Sequence, residues 1–581
     1  MLFRNLDKWA EQNNTMPEHQ PTQSQTGRTL VKKQAESILK KNEPPMMYRA
    51  QVQGRCNLQF AGDNSNLEKW KEEWTLPQRD RKPSHQYEYK SLDSDHPNNL
   101  IHSIKIKFSY RVLSNSGQDS ILRPVLSVHG IPFIPGSSVK GIFRRLAKSK
   151  SNDSPDKNTI ETYCGTEENP GILRFHGAYP IGDWTNCMVD IVHPQQSRQV
   201  KNNNLTSAFT LISFYQPQFV FEFSNVESHI IWEDVDRILH EALAFGLGGK
   251  TSTGYGFLSI PNYADCQHSE QYNQAFHVSF KGIGVCSTLL NRRQPEFRPN
   301  MFKAALRGHI MRLLGGVCNL EPIVEKHVNR LLGSTDQEGV IKLFWESKEL
   351  DDTTSFTNIY TKNGTLHITA DSRANKGDID FVGKVLQFAY VMGGFGKSWR
   401  RVWHQQFMPD YKRFPIGCHW ELKSDWINYQ KTIEVNSKDT LSAFLKDLHA
   451  ICLNRLCSHP PAPIFNWREA WHPNRVAVYT SNKLVTKSQA IQLFHREPFK
   501  TTPAIGGRER LGEPKFVSYV WHRMLPVGDK YLENVTVFHG DRTPHSPWRH
   551  RTQGNQLKPF IESLENAQLK LTWGTPPVFN T

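Results

Sequence analysis

The chain has no run of eighteen apolar residues, so nothing in it is long enough to read as a membrane-spanning helix. Its first residues, MLFRNLDKWAEQNN, lack the apolar core of a secretory signal. Cysteine is sparse: nine in 581 residues, an odd number, with no CxxC pair. That argues against a disulfide framework and predicts free thiols in a reducing cytoplasm. Cys452, Cys457 and His459 lie close together, but a zinc site there lacks an obvious fourth ligand. Negative charge is also in deficit, 56 Asp plus Glu against 71 Lys plus Arg, a formal net charge of +15. Such an imbalance favours an anionic partner, most simply nucleic acid. The length exceeds what one core organises, so roughly two to four domains are expected.

What the chain does have is glycine, concentrated in one place. Residues 244–256 read AFGLGGKTSTGYG, with Lys250, Thr251, Ser252 and Thr253 among five glycines. Glycine has no Cβ, so such a loop can take positive φ and let a partner approach its amides. A lysine and three hydroxyls suit a phosphate-rich partner. Residues 244–251 fall one residue short of the phosphate loop of nucleotide hydrolases, with Ala244 where its first glycine would stand. The surrounding elements are in the wrong order for that loop. Residues 229–245 carry Ile231, Val235, Ile238, Leu239 and Ala242 at helical spacing, and residues 254–260 read as a short strand before Pro261. Helix, loop, strand brings a helix C-terminus to the loop, which disfavours phosphate. An ATPase is therefore set aside, and a purely structural glycine turn remains a rival reading.

The rest of the chain has a repeating order. Residues 1–99 are polar and read as an N-terminal extension and linker. An alternating strand follows through Ile104, Ile106, Phe108, Tyr110 and Val112. Pro132 and Pro135 force extended backbone, and Ser137 or Ser138 offers an N-cap for a helix to Ala147. Its amides, with Lys140, Arg144 and Arg145 one or two turns on, make an anion site; a capped helix with solvent-facing cations is the plainer alternative. Strands at 171–178 and 218–223 flank a long loop, and the helix and glycine loop close a ferredoxin-like unit over 100–262. The same order restarts over 276–405. A strand within 276–289 leads to a helix at 301–314 carrying Lys303, Arg307 and Arg312. Strands at 340–345 and 366–370, a helix at 381–391 and a second basic glycine loop, GGFGKSWRR at 393–401, follow. Residues 406–581 read as a C-terminal α+β elaboration, with a helix at 440–452 and strands at 475–479, 515–521 and 535–539. The expected fold class is α+β: tandem ferredoxin-like (RRM-like) domains with insertions.

IPFIPGSSVKGIFR at 131–144, followed by GLGGKTSTGYGFL at 246–258, resembles the paired motifs of the RAMP superfamily of CRISPR-associated proteins. GQDSIL at 117–122 and DIVHP at 190–194 make the first half most similar to the sixth RAMP subunit of the type III-B (Cmr) effector complex. RPNMFKAALR at 298–307 and GGFGKSWRR make the second half similar to the first RAMP subunit, with Asn300 where Ser or Thr is expected. The resemblance implies an RNA-binding structural subunit of a type III effector complex, holding guide (crRNA) backbone near its 3′ end in antiviral defence. It implies no metal or other cofactor. Implied RNA contacts are Ser137, Ser138, Lys140, Arg144, Gly248, Gly249, Lys250, Thr251 and Ser252 in the first half. In the second half they are Arg298, Lys303, Arg307, Lys397 and Arg400. Implied partners are crRNA, target RNA, other RAMP subunits and the large polymerase/cyclase-like subunit, in the cytoplasm and apart from any membrane. Backbone subunits of the class cleave target RNA with an aspartate in the loop after the first strand, and Asp119 holds the corresponding place. Asp119 reads either as a turn residue or, in the alternative, as the catalytic group of a target-RNA endoribonuclease, with or without a divalent metal ion. A free-standing ribonuclease using His129 or His193 is a third reading.

Overall fold

In a computed structural model of the chain, residues 56–57 and, with gaps, 101–577 are described; the longest gaps are 58–100, 259–271, 287–296, 348–358 and 507–516. Among the described residues, three main antiparallel sheets, accompanied by smaller ones, follow one another along the chain. The first holds β1 (Ile101–Lys107), β2 (Leu173–Ile181) and β3 (Gln218–Asn225) in the order β1-β3-β2. Helices α1 (Gly136–Ser149), α2 (Pro155–Cys164), α3 (Ser197–Lys201) and α4 (Trp232–Leu243) belong to the same stretch. In β1 the alternation is as read: Ile104 and Ile106 are buried while Lys105 and Lys107 face out. They join one core with Phe143 and Leu146 of α1 and with Ile238 and Leu239 of α4, each buried side chain contributing about 1.5–3 kcal/mol.

The second sheet holds β4 (Tyr272–Val285), β5 (Ile341–Ser347), β6 (Ile359–Asp371) and β7 (Cys418–Leu422) in the order β5-β6-β4-β7. Helices α5 (Asn300–Gly315), α6 (Glu321–Leu332) and α7 (Lys376–Met392) connect its strands. Second, third, first, fourth is the complete ferredoxin-like order, with α6 inserted after α5. Asn375 and Asp378 start α7 with a reciprocal capping box. Beyond α8 (Lys438–Arg455), a third sheet holds β8 (Val476–Ser481), β9 (Val520–Val527), β10 (Lys530–Phe538) and β11 (Leu569–Gly574). Its order, β9-β10-β8-β11, repeats that of the second. Helix α9 (Leu557–Asn566) makes its second crossover, and short 3-10 turns at Leu493–His495, Phe499–Thr501 and Pro503–Ile505 stand in its first. The second and third sheets share a core. Trp471 stacks on Trp521 at 5.4 Å and on Trp573 at 5.2 Å, and meets Phe388 of α7 edge-on at 4.9 Å.

Four local expectations need correction. Neither Ser137 nor Ser138 caps α1. Pro135 holds the N-cap position, without a side-chain bond, and both serines are exposed in the first turn. The helix starts hard against β2, where a Cβ on Gly136 would stand 1.8 Å from the Phe175 carbonyl oxygen, so glycine fixes its entry. Ile231 is the N-cap of α4 and 56% exposed, not part of its apolar face. Residues 254–258 form no strand. Instead the Gly256 amide donates to the Arg111 carbonyl at 2.6 Å, and Phe257 turns away to meet Phe344 of β5 at 5.8 Å. The long loop between β2 and β3 has structure of its own. Val189–Val192 pairs with Phe209–Ile212, and α3 inserts Val200 into the core of the second module. Lys201 fastens α3 there through Glu321 and Glu325, both at 2.6 Å.

Candidate nucleic-acid interface

The first glycine loop lies beside the chain that continues β1. Gly248 pairs with Leu113 in a parallel bridge, and the Gly249 amide donates to the Leu113 carbonyl at 2.8 Å. Gly248 sits at φ +77°, and a Cβ there would stand 2.4 Å from that same oxygen. The amides of Gly246, Leu247, Gly254, Tyr255 and Gly256 also donate to main-chain carbonyls. These glycines thus let two backbones approach closely, and those amides are committed inside the protein rather than presented outward. What the loop shows to solvent is Gly248, with Gly249, Lys250, Thr251 and Gly254 partly exposed. Arg145 ties α1 to the loop by donating to the Gly246 carbonyl at 2.6 Å and lying over Phe245. Lys140 is partly exposed on α1, and the exposed Arg144 reaches the Gly165 carbonyl at 3.3 Å.

This loop does not end in open solvent. A Cβ on Gly254 would come within 3.4 Å of the Asn300 nitrogen, the first residue of α5. The Tyr110 hydroxyl donates to the Trp345 carbonyl of β5 at 3.1 Å. Burial, then the charge of Glu346, pushes that phenol above its usual range. Between these contacts lie two adjoining crevices of about 30 and 20 Å³ that share Tyr110, Gly254, Pro299 and Asn300. Arg111 and Arg298 line the first and Lys303 the second, and among the described residues neither is lined by an aspartate or glutamate. Arg111 is held by Ser213 Oγ at 3.1 Å and lies over Tyr215. Burial, reinforced by Arg307 and Lys342, draws the Lys303 ammonium down to about 8, while Glu338 opposes the shift.

Two of the expected RNA contacts serve the fold instead. Arg307 donates to Asn329 Oδ1 at 3.0 Å and to the Gly333 carbonyl, closing the C-terminus of α6. Arg400 is buried. It donates to both oxygens of Glu469 at 3.0 Å and to Gln199 Oε1 at 3.0 Å, and it lies over Trp399. Arg312 and Arg468 converge on the same carboxylate, so one fully buried glutamate gathers three arginines where α3, α5 and the second glycine loop meet. No local signal marked Arg400, since its partner lies 69 residues away. Lys397 is exposed. Sequence reasoning missed Arg111 and Tyr110 in the crevice; the only cue was that the alternating strand ran on to them. Asp119, Ser252, His129 and His193 lie outside the described residues, as do Cys457 and His459.

Residues 104–259 match the model of the RAMP superfamily, so the first module is a RAMP superfamily domain. The resemblance read from the paired motifs is thereby shown for that part of the chain. Among solved structures, apo Cmr1 from Pyrococcus furiosus is similar at 14% identity and a TM-score of 0.34, over 52% of this chain and 98% of that one. Cmr6 from Pyrococcus furiosus is similar at 20% identity and a TM-score of 0.20, over 27% and 97%. A type III-B Cmr-beta complex bound to cognate target RNA contains a chain similar at 21% identity and a TM-score of 0.22, over 27% and 57%. All three superpose weakly. No curated protein matches the chain.

Proposed function

We propose that the chain is an RNA-binding structural subunit of a type III CRISPR effector complex, holding guide (crRNA) backbone near its 3′ end in antiviral defence. The observation that carries this reading is the docking of a RAMP domain, through its glycine loop, on the start of a basic helix in the next module. Cations from both modules line the crevices there. Contacts made by Lys250, Arg298, Lys303, Lys140 and Arg144 address phosphate and helix shape, so binding is sequence-independent and falls with salt. Its partners are crRNA, target RNA, neighbouring RAMP subunits and the large polymerase/cyclase-like subunit. The test is to pull down the tagged chain from cells carrying a CRISPR array and sequence the RNA that comes with it. Guide-sized, array-derived RNA is expected. Partner subunits recovered without such RNA contradict the reading.

A further inference from the structure

Among the described residues, the core of the first module shares no side chain with the larger core of the second and third modules. One side chain crosses over: Val200 of α3, fully buried in the larger core. It arrives on a helix of 5 residues, far below the roughly 12–15 that a helix needs to persist alone in water. The groove that receives α3 holds the turn together. A helix leaves its last carbonyls without partners. Here the Arg468 and Glu469 amides donate to the Lys201 and Val200 carbonyls, both at 3.0 Å, and Arg468 Nε donates to the Gln199 carbonyl at 3.0 Å.

The side chains are met as closely as the main chain. Val200 fills an apolar hole, Gln199 Oε1 accepts from Arg400 at 3.0 Å, and Lys201 lies over Trp467 at 5.6 Å, paired with Glu321 and Glu325. α3 therefore sits on the second module as a peptide sits in a receptor. The seat is also shallow. Its apolar part is one valine, and its ion pairs use carboxylates that are 39% and 47% exposed; such pairs contribute little. Its hydrogen bonds exchange for bonds to water on release. A contact of this kind opens more readily than either core. We propose that residues 199–201 are a releasable latch, an internal peptide ligand of the groove formed by Trp467, Arg468 and Glu469. Seated, it fixes the approach of the first glycine loop to α5. Released, it lets the first module move while each core stays folded. The latch is independent of what the chain binds, so its failure would leave the RNA-binding reading untouched.

The experiment follows amide hydrogen exchange, residue by residue, in the full-length protein. The Arg468 and Glu469 amides report on the latch, because their acceptors belong to it. The Ile464 and Trp471 amides, bonded to the Gly315 and Arg312 carbonyls inside the second module, are the reference. Lys201→Glu should speed exchange at the two reporters about three- to tenfold with the reference unchanged, and adding Glu325→Lys should recover most of the protection. Val200→Asp should speed the reporters by more than about tenfold, because a carboxylate is costly in the apolar seat. Small-angle scattering of both single variants should show a larger radius of gyration. Reporters and reference that speed up together would reveal one cooperative core and overturn the latch, as would reporters that ignore both substitutions. Freed reporters with an unchanged radius of gyration would overturn its hold on the first module.

Discussion

The two glycine loops share a setting and differ in use. Each follows a helix, α4 or α7, and each lies beside the chain at or beyond the end of its module's first strand, Gly248 against Leu113 and Lys397 against Val285. Both need left-handed backbone, at Gly248 and Gly254 in the first and at Gly394 and Gly396 in the second. The first leaves Gly248 exposed and abuts a cation-lined crevice. The second turns Gly393, Gly394, Phe395, Trp399 and Arg400 inward, and its arginine closes a charge cluster that joins all three modules. Repetition of a motif here means repetition of a backbone device, not of a surface.

The comparison can be broken at its strongest point, Glu469. Glu469→Ala leaves Arg312, Arg400 and Arg468 buried together without their carboxylate and should cost about 3–5 kcal/mol, read by urea unfolding. Unchanged stability would show that the second loop is not structurally anchored. Acid probes the same cluster. Burial by itself would raise the Glu469 carboxyl, but Arg400, Arg468 and Arg312 outweigh it and hold it from the ordinary 4.5 down to about 2. A group depressed in the folded state stabilises above its unfolded pKa and loses that contribution as pH falls through its folded pKa. Unfolding free energy should therefore drop between about pH 4.5 and 2, and Glu469→Gln should flatten the slope in that window.

A smaller effect is expected in the first loop. Gly248→Ala forces a Cβ into the Leu113 carbonyl at a positive φ and should destabilise by about 1–3 kcal/mol; a neutral result would mean that the loop does not rest on that strand. Lys250→Ala should leave stability within about 0.5 kcal/mol while lowering RNA affinity a fewfold, measured by filter binding across a salt series. Equal RNA losses from Lys250→Ala and Arg400→Ala, taken on folded protein, would erase the distinction between the loops. Least of all is expected from Asp119→Ala: if that residue is a turn residue, the spacing of target-RNA cuts by the assembled complex should not change.

Much of this architecture was legible. Helices α4, α5, α7 and α8 stood out by spacing, and β2, β3 and β5 lie close to the limits read for them, whereas β6 starts at Ile359 rather than 366 and β7 was not read at all. The third sheet was not read as a repeat because its first crossover is built from 3-10 turns, which leave no helical period to detect. The glycine loop stood out in the sequence, but its amides were read as facing a ligand, whereas those of Gly246, Leu247, Gly249, Gly254, Tyr255 and Gly256 donate to main-chain carbonyls. Glycine serves equally to offer amides to a ligand and to seat one backbone on another, and the deciding neighbour, Leu113, is remote in sequence. The same distance hid the roles of Arg307 and Arg400, whose partners decide whether a cation faces solvent or closes a core.

The most direct test of the central claim is a residue-level map of ultraviolet crosslinks between the chain and RNA in the assembled particle. The account predicts crosslinks clustered at residues 248–254 and 298–303, on both sides of the crevice, with few from residues 393–401. A map dense at 393–401 and silent around the crevice would contradict it.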